Sequence, residues 1–153
     1  MEMGESPWEH AMTPELQKIN DIFYLALVIW REARGEGREC MTAVAQSIMN
    51  RVKNPKWWGT NVTSVCTKKW QYSSMTDPND KQLTTWPGLD PWWTMALEVA
   101  QKVYEGQIDN IVPGADSYYD ISIPPPKWAD QTKFVKQVGR IKFYNLDDDH
   151  ELA

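Results

Sequence analysis

Cysteine, histidine and positive charge are scarce in this chain, and each shortage closes off a class of function. There are two cysteines and two histidines in 153 residues. Cys40 and Cys66 have no paired spacing with the histidines, so no zinc site is indicated and neither metal nor other cofactor is expected. Both cysteines fall in apolar helical surroundings, so buried free thiols are expected. Sixteen Lys and Arg face 21 Asp and Glu, a formal net charge of −5. That balance argues against nucleic acid as a partner, which calls for a basic surface. No run of eighteen apolar residues exists, so no membrane-spanning helix and no membrane insertion are expected. The most apolar run, Ile22 to Trp30, is half that length and follows the polar, acidic segment Met1 to Asp21. It reads as a buried helix and not as a signal peptide. Internal repeats are also lacking, and the length suits one domain with a real core, expected to be a monomer.

What the chain has in excess is tryptophan, with nine. Core packing explains part of them. Exposed tryptophans suit sugar rings, whose apolar faces stack on aromatic rings.

The chain is organised around Trp30-Arg31-Glu32-Ala33-Arg34-Gly35-Glu36-Gly37. Upstream, Leu16, Ile19, Ile22, Phe23, Ala26, Ile29, Trp30 and Ala33 recur with a helical period. Thr13-Pro14-Glu15 supplies a cap, a first-turn proline and an acid, so a first helix is expected over about 14–34. Gly35 and Gly37 allow a sharp turn. Glu32 therefore sits at the edge of an apolar stripe, in the last turn of a helix. Desolvation and the negative end of the helix dipole both favour its protonated form. A glutamate held protonated near neutral pH can act as a general acid. Arg31, Arg34 and Arg38 pull the other way, and the sequence leaves the net direction open. A surface glutamate paired with an arginine is the plain alternative.

A second helix is expected over about 38–52, with Met41, Val44, Ala45, Ile48, Met49 and Val52 inward. Its Gln46 and Asn50 read either as a solvated face or as a polar line across a groove beside Glu32. Asn61 reads as the cap of a short helix through Val62, Val65 and Cys66. Trp70 to Ser73 reads as extended and Met75 to Leu89 as a long loop, of the kind that forms lids or binding loops. Asp90-Pro91 opens another helix, with Trp93, Ala96, Leu97, Ala100, Val103 and Tyr104 as its buried stripe, and Gly106 closes it. Tyr118 and Tyr119 point to opposite sides if their segment is extended. Val135 and Val138 suggest a helical turn, and Ile141 to Phe143 a short terminal strand. Residues 1–12 form an N-terminal arm, 13–146 the domain, and 147–153 an acidic, solvated tail.

Five elements, taken in order, resemble the SleB-type cell wall hydrolase family, which includes spore-cortex-lytic enzymes and many phage lysins. They are Glu32-Ala33-Arg34-Gly35-Glu36, the Ala43 to Val52 helix, Trp70-Gln71-Tyr72-Ser73, the paired tyrosines of Ala115 to Asp120, and the closing Val138 to Tyr144. Asp120 and Ile141 depart from the pattern, where His or Asn and His respectively are usual. The resemblance implies a mostly α fold with small β elements, single-domain and lysozyme-like, as in lytic transglycosylases. It implies that Glu32 is the catalytic acid and base on peptidoglycan glycan strands. Gln71, Tyr72, Ser73, Tyr118, Tyr119 and Glu36 are the expected substrate-binding residues. Glu36 can equally be structural, bonding nearby backbone N–H groups or Arg34. For a wall enzyme without a leader, the expected setting is a phage endolysin that waits in the host cytoplasm before lysis. The competing readings are a muramidase-like hydrolase, a non-catalytic glycan-binding module and a phage structural protein.

Overall fold

Helix starts follow the local chemistry closely. In the computed structural model, which describes residues 13–147, helix α1 spans Pro14–Ala33 and the Thr13 hydroxyl accepts from the Leu16 N–H. Gly35 and Gly37, at φ 90° and 98°, carry the turn into α2, Arg38–Lys53. Asn61 caps α3, Val62–Thr67, in a reciprocal capping box with Ser64. Helix α4 is a single turn, Ser73–Thr76. Asp90 caps α5, Pro91–Tyr104, through the Trp92 N–H.

Three short strands follow: β1 (Ser117–Asp120), β2 (Phe134–Val138) and β3 (Ile141–Tyr144). They form one antiparallel sheet in the order β1-β3-β2. Tyr118 pairs with Phe143 across the β1–β3 ladder.

The core lies between α1, α2 and α5. Leu25, Ala26, Val28, Ile29, Val44, Ala45, Ile48, Val99 and Ala100 are fully enclosed there. Each large aliphatic side chain so buried stabilises the fold by about 1.5–3 kcal/mol. Phe143 and Ile141 carry the sheet onto the same core. Cys40 and Cys66 are free and buried, and burial pushes the Cys40 thiol up to about 12.

Several expectations need correction. The apolar period of α1 runs its whole length, but Leu16, Ile19 and Phe23 are exposed. Apolar cover from other elements is continuous only from Leu25 onward, while the first half is tied to α3 and α5 through polar contacts of Asn20 and Asp21. Gln46 and Asn50 neither face solvent nor line the cavity beside Glu32: both are buried and bonded to the 109–115 segment. Ser73 starts a helical turn instead of ending an extended run, and residues 75–89 contain a 3-10 turn at Lys81–Thr84. Val135 and Val138 lie in strand β2, because edge pairing with β3 overrides a three-residue spacing too short to specify a helix. The N-terminal arm, and all of the acidic tail except Asp147, lie outside the described residues.

Candidate active site

Glu32 projects from the last turn of α1 into a cavity of about 580 Å³. Two hydroxyls hold its carboxylate. The Ser74 Oγ donates to Oε2 at 2.7 Å. The Tyr118 hydroxyl donates to Oε1. Burial raises the pKa of Glu32 above the ordinary glutamate value, while these two bonds pull it down and the charge on Asp80 raises it further. The three arginines that left the sequence reading open are all engaged elsewhere. Arg31 donates to the carbonyls of Ser74, Leu83 and Thr85. Arg34 lies over the Trp30 ring at 4.0 Å, and Arg38 pairs with Glu98.

Arg31 thus has a positioning task in place of an electrostatic one. Its guanidinium gathers three carbonyls of the 74–85 segment against the end of α1, which fixes Ser74 beside Glu32. Tyr118 comes from the other side, on β1, and packs against Phe143 and Tyr72. Burial and the neighbouring Glu32 charge hold the Tyr118 phenol well above its usual pKa, so it stays a donor.

A second cluster stands beside the first. Buried Arg51, on α2, donates to the Asp116 carbonyl at 2.7 Å and to the Gln71 Oε1 at 3.1 Å. The guanidinium lies 5.2 Å from the Tyr72 ring centre and 5.0 Å from that of Trp58. Tyr72 is enclosed, and its hydroxyl meets no hydrogen-bond partner among the described residues. Around the cavity mouth stand Trp57, Trp70 and Trp128, all substantially exposed. Trp30 and Trp58 belong to the core. Asp120 also borders the cavity; its Oδ1 accepts from the Ser122 N–H and lies 3.7 Å from the Arg140 Nε.

The model of the cell wall hydrolase family matches residues 35–144, well over half of the chain. The chain belongs to the cell wall hydrolase family. Among solved structures, the catalytic domain of the germination-specific lytic transglycosylase SleB from Bacillus anthracis is similar, with a TM-score of 0.63 at 22% identity. The alignment covers 94% of this chain and 99% of that one, so the two share a fold. No curated protein is recognisably similar in sequence. The family match begins at Gly35, so Glu32 lies just outside it. Its candidacy in this cell wall hydrolase rests on the geometry above.

Of the other residues expected to bind substrate, Gln71, Tyr72, Ser73, Tyr118 and Tyr119 all border the cavity of this hydrolase. Ser73 is exposed and donates to Asp80 at 2.7 Å. Tyr119 turns to the opposite side of β1 from Tyr118, where it stacks on Tyr144 and meets Trp128 edge-on. Glu36 is the correction. It does not border the cavity; its Oε1 accepts from the Arg140 N–H at 3.2 Å, at the β2–β3 turn. Arg34 and Gly35 separate it from α1, and the left-handed backbone at Gly35 turns it away. Ser74, Arg31 and Arg51 were missed. The doubled serine at 73–74 is the available signal, and the resemblance of Trp70-Gln71-Tyr72-Ser73 to the family motif points to the first of the pair.

Proposed function

We propose that this cell wall hydrolase cleaves the glycan strand of peptidoglycan, with Glu32 as a single general acid and base. The observation that carries this reading is a partly dry carboxylate on a cavity wall, held by two neutral hydroxyls and, among the described residues, paired with no cation. Such a group holds its proton to a higher pH than an exposed glutamate does, and its two hydroxyl partners still stabilise it once the proton has left. Glu32 first protonates the oxygen that links two sugars, and the bond from that oxygen to the sugar C1 breaks as positive charge develops at C1. The Glu32 carboxylate then takes a proton from the attacking hydroxyl. In a lytic transglycosylase that hydroxyl is the primary alcohol of the same muramic acid, and a new C1–O6 bond closes an anhydro ring without consuming water. Ser74 and Tyr118 donate to the carboxylate between the two steps.

A mechanism that used a second carboxylate would draw on Asp120, the other carboxylate that borders the cavity among the described residues. Its bond to the Ser122 N–H and its proximity to Arg140 favour a structural role. The test is Glu32→Gln on purified sacculi. Release of soluble fragments should fall by about 10²- to 10⁴-fold, the usual worth of general acid–base catalysis. Undiminished release would remove the assignment. Mass spectrometry of the parent's products should show anhydro ends; ends heavier by one water would show that water, not the muramic acid hydroxyl, is the attacking group.

The resemblance to phage lysins extends the proposal to the cellular setting. Expression in a bacterial host should clear the culture only after the membrane is permeabilised. Clearing without permeabilisation would count against it.

A further inference from the structure

Trp70 has a backbone that a bulky residue avoids. Its φ is 71°, the one positive value outside glycine among the described residues. For a side chain with a Cβ this conformation costs about 1–2 kcal/mol. A chain that needed only the turn would place glycine or asparagine there. Burial does not offset the cost, because Trp70 is 72% exposed. Strain at an exposed aromatic residue on a cavity rim points to function.

The surroundings say what that function is. Trp70 borders the same cavity as Glu32, along with Trp57 and Trp128, which are 44% and 37% exposed. The Gln71 N–H closes the turn onto the Lys68 carbonyl at 3.1 Å, and Arg51 holds the Gln71 side chain. Four residues on, Ser74 donates to Glu32. The indole is therefore tied to the reacting carboxylate through a short, bonded segment. The Lys69 ammonium lies 5.0 Å from the ring centre and covers one face. The other face remains for a flat, uncharged, C–H-lined partner whose edges carry hydrogen-bonding groups. A pyranose ring has that shape and polarity. An acidic peptide would gain little from an indole face.

We propose that Trp70 is a stacking platform for one N-acetylhexosamine ring of the glycan strand, at a position along the cleft away from the bond that is cut. This rests on the glycan-cleaving reading and adds a binding position to it. The platform sets affinity and register, and the chemistry stays with Glu32.

Binding is measured without turnover, in the Glu32→Gln background, by co-sedimentation with purified sacculi and by calorimetry with chitotetraose. Trp70→Gly suits the left-handed backbone, so its thermal midpoint should equal or exceed the parent's. Its affinity for both ligands should fall about tenfold, the equivalent of one lost aromatic stack. Trp70→Phe keeps a stacking face and should stay within about threefold of the parent. With Glu32 restored, Trp70→Gly should raise the half-saturating sacculus concentration while turnover at saturation holds. Unchanged binding by Trp70→Gly overturns the proposal. So does a loss that Trp70→Phe shares in full, or a loss on sacculi with chitotetraose affinity intact. An active Glu32→Gln enzyme would instead refute the catalytic assignment, and the binding comparison would still read out.

Discussion

Two buried polar groups of residues sit on neighbouring core helices, and they behave in opposite ways. On α2, Gln46 donates to the Asp109 carbonyl at 3.0 Å and accepts from the Ile111 N–H at 2.9 Å. Asn50 donates to the carbonyls of Val112 and Ala115 and accepts from the Asn110 amide. These neutral amides spend their hydrogen-bonding capacity on one crossing segment and clamp it to the helix. At the end of α1, Glu32 is ionisable, its partners are two hydroxyls, and it borders a cavity. Burial of a polar group does not by itself mark a site. What marks it is remaining capacity: a group that can change charge and still has room for a ligand in front of it.

That contrast can be broken or sharpened by substitution. The largest effect is expected at Glu32, where the glutamine variant loses activity by orders of magnitude while keeping the fold. Asn50→Ala should do the reverse. It leaves two buried carbonyls without partners, at about 1–3 kcal/mol each. Urea unfolding should show the loss, and the rate per folded molecule should stay near the parent's. A selective loss of activity in that variant would dissolve the distinction between clamp and site.

Tyr118→Phe removes one hydrogen bond to a carboxylate, worth about 1.5–3 kcal/mol. Initial rates on sacculi should fall about 10- to 100-fold. Its midpoint of unfolding should fall by several degrees, too little to unfold the protein at the assay temperature.

A smaller effect concerns pH. The folded state holds the Glu32 proton to a higher pH than the unfolded chain, whose glutamate titrates near its ordinary value of 4.5. Between those two values the native state binds more protons, so stability falls as pH rises through the window. The contribution is complete below the unfolded value and is gone above the raised one. Glu32→Gln should flatten that part of the curve and should be relatively more stable at neutral pH. Thermal midpoints of the two proteins from pH 4 upward would show it; parallel curves would contradict the upward shift.

The least effect is expected at Glu36. Its bond to the Arg140 N–H braces an exposed turn. Glu36→Gln keeps an acceptor there, so sacculus activity should stay within about twofold and stability within about 0.5 kcal/mol.

Much of this was legible along the chain because its causes are local. Thr13, Asn61 and Asp90 cap helices through atoms two or three residues away. The alternation of Tyr118 and Tyr119 follows from the pleat. The dry edge of Glu32 follows from the apolar period around it. The errors fall where the partner is distant in sequence. Gln46 and Asn50 look solvated until the 109–115 segment crosses them. Ser73 looks like the bonding serine until a helical turn places Ser74 at Glu32. Val135 and Val138 have a spacing that fits two structures, and strand β3 chooses between them.

By itself the sequence determined the helices, the turn after Glu32, the buried thiols and an ordered set of motifs, because propensity, capping and periodicity act over a few residues. Tertiary structure alone decided the state of Glu32. Its pKa depends on where three arginines go and on which hydroxyls arrive from residues 74 and 118, and those placements exist only once distant segments pack together.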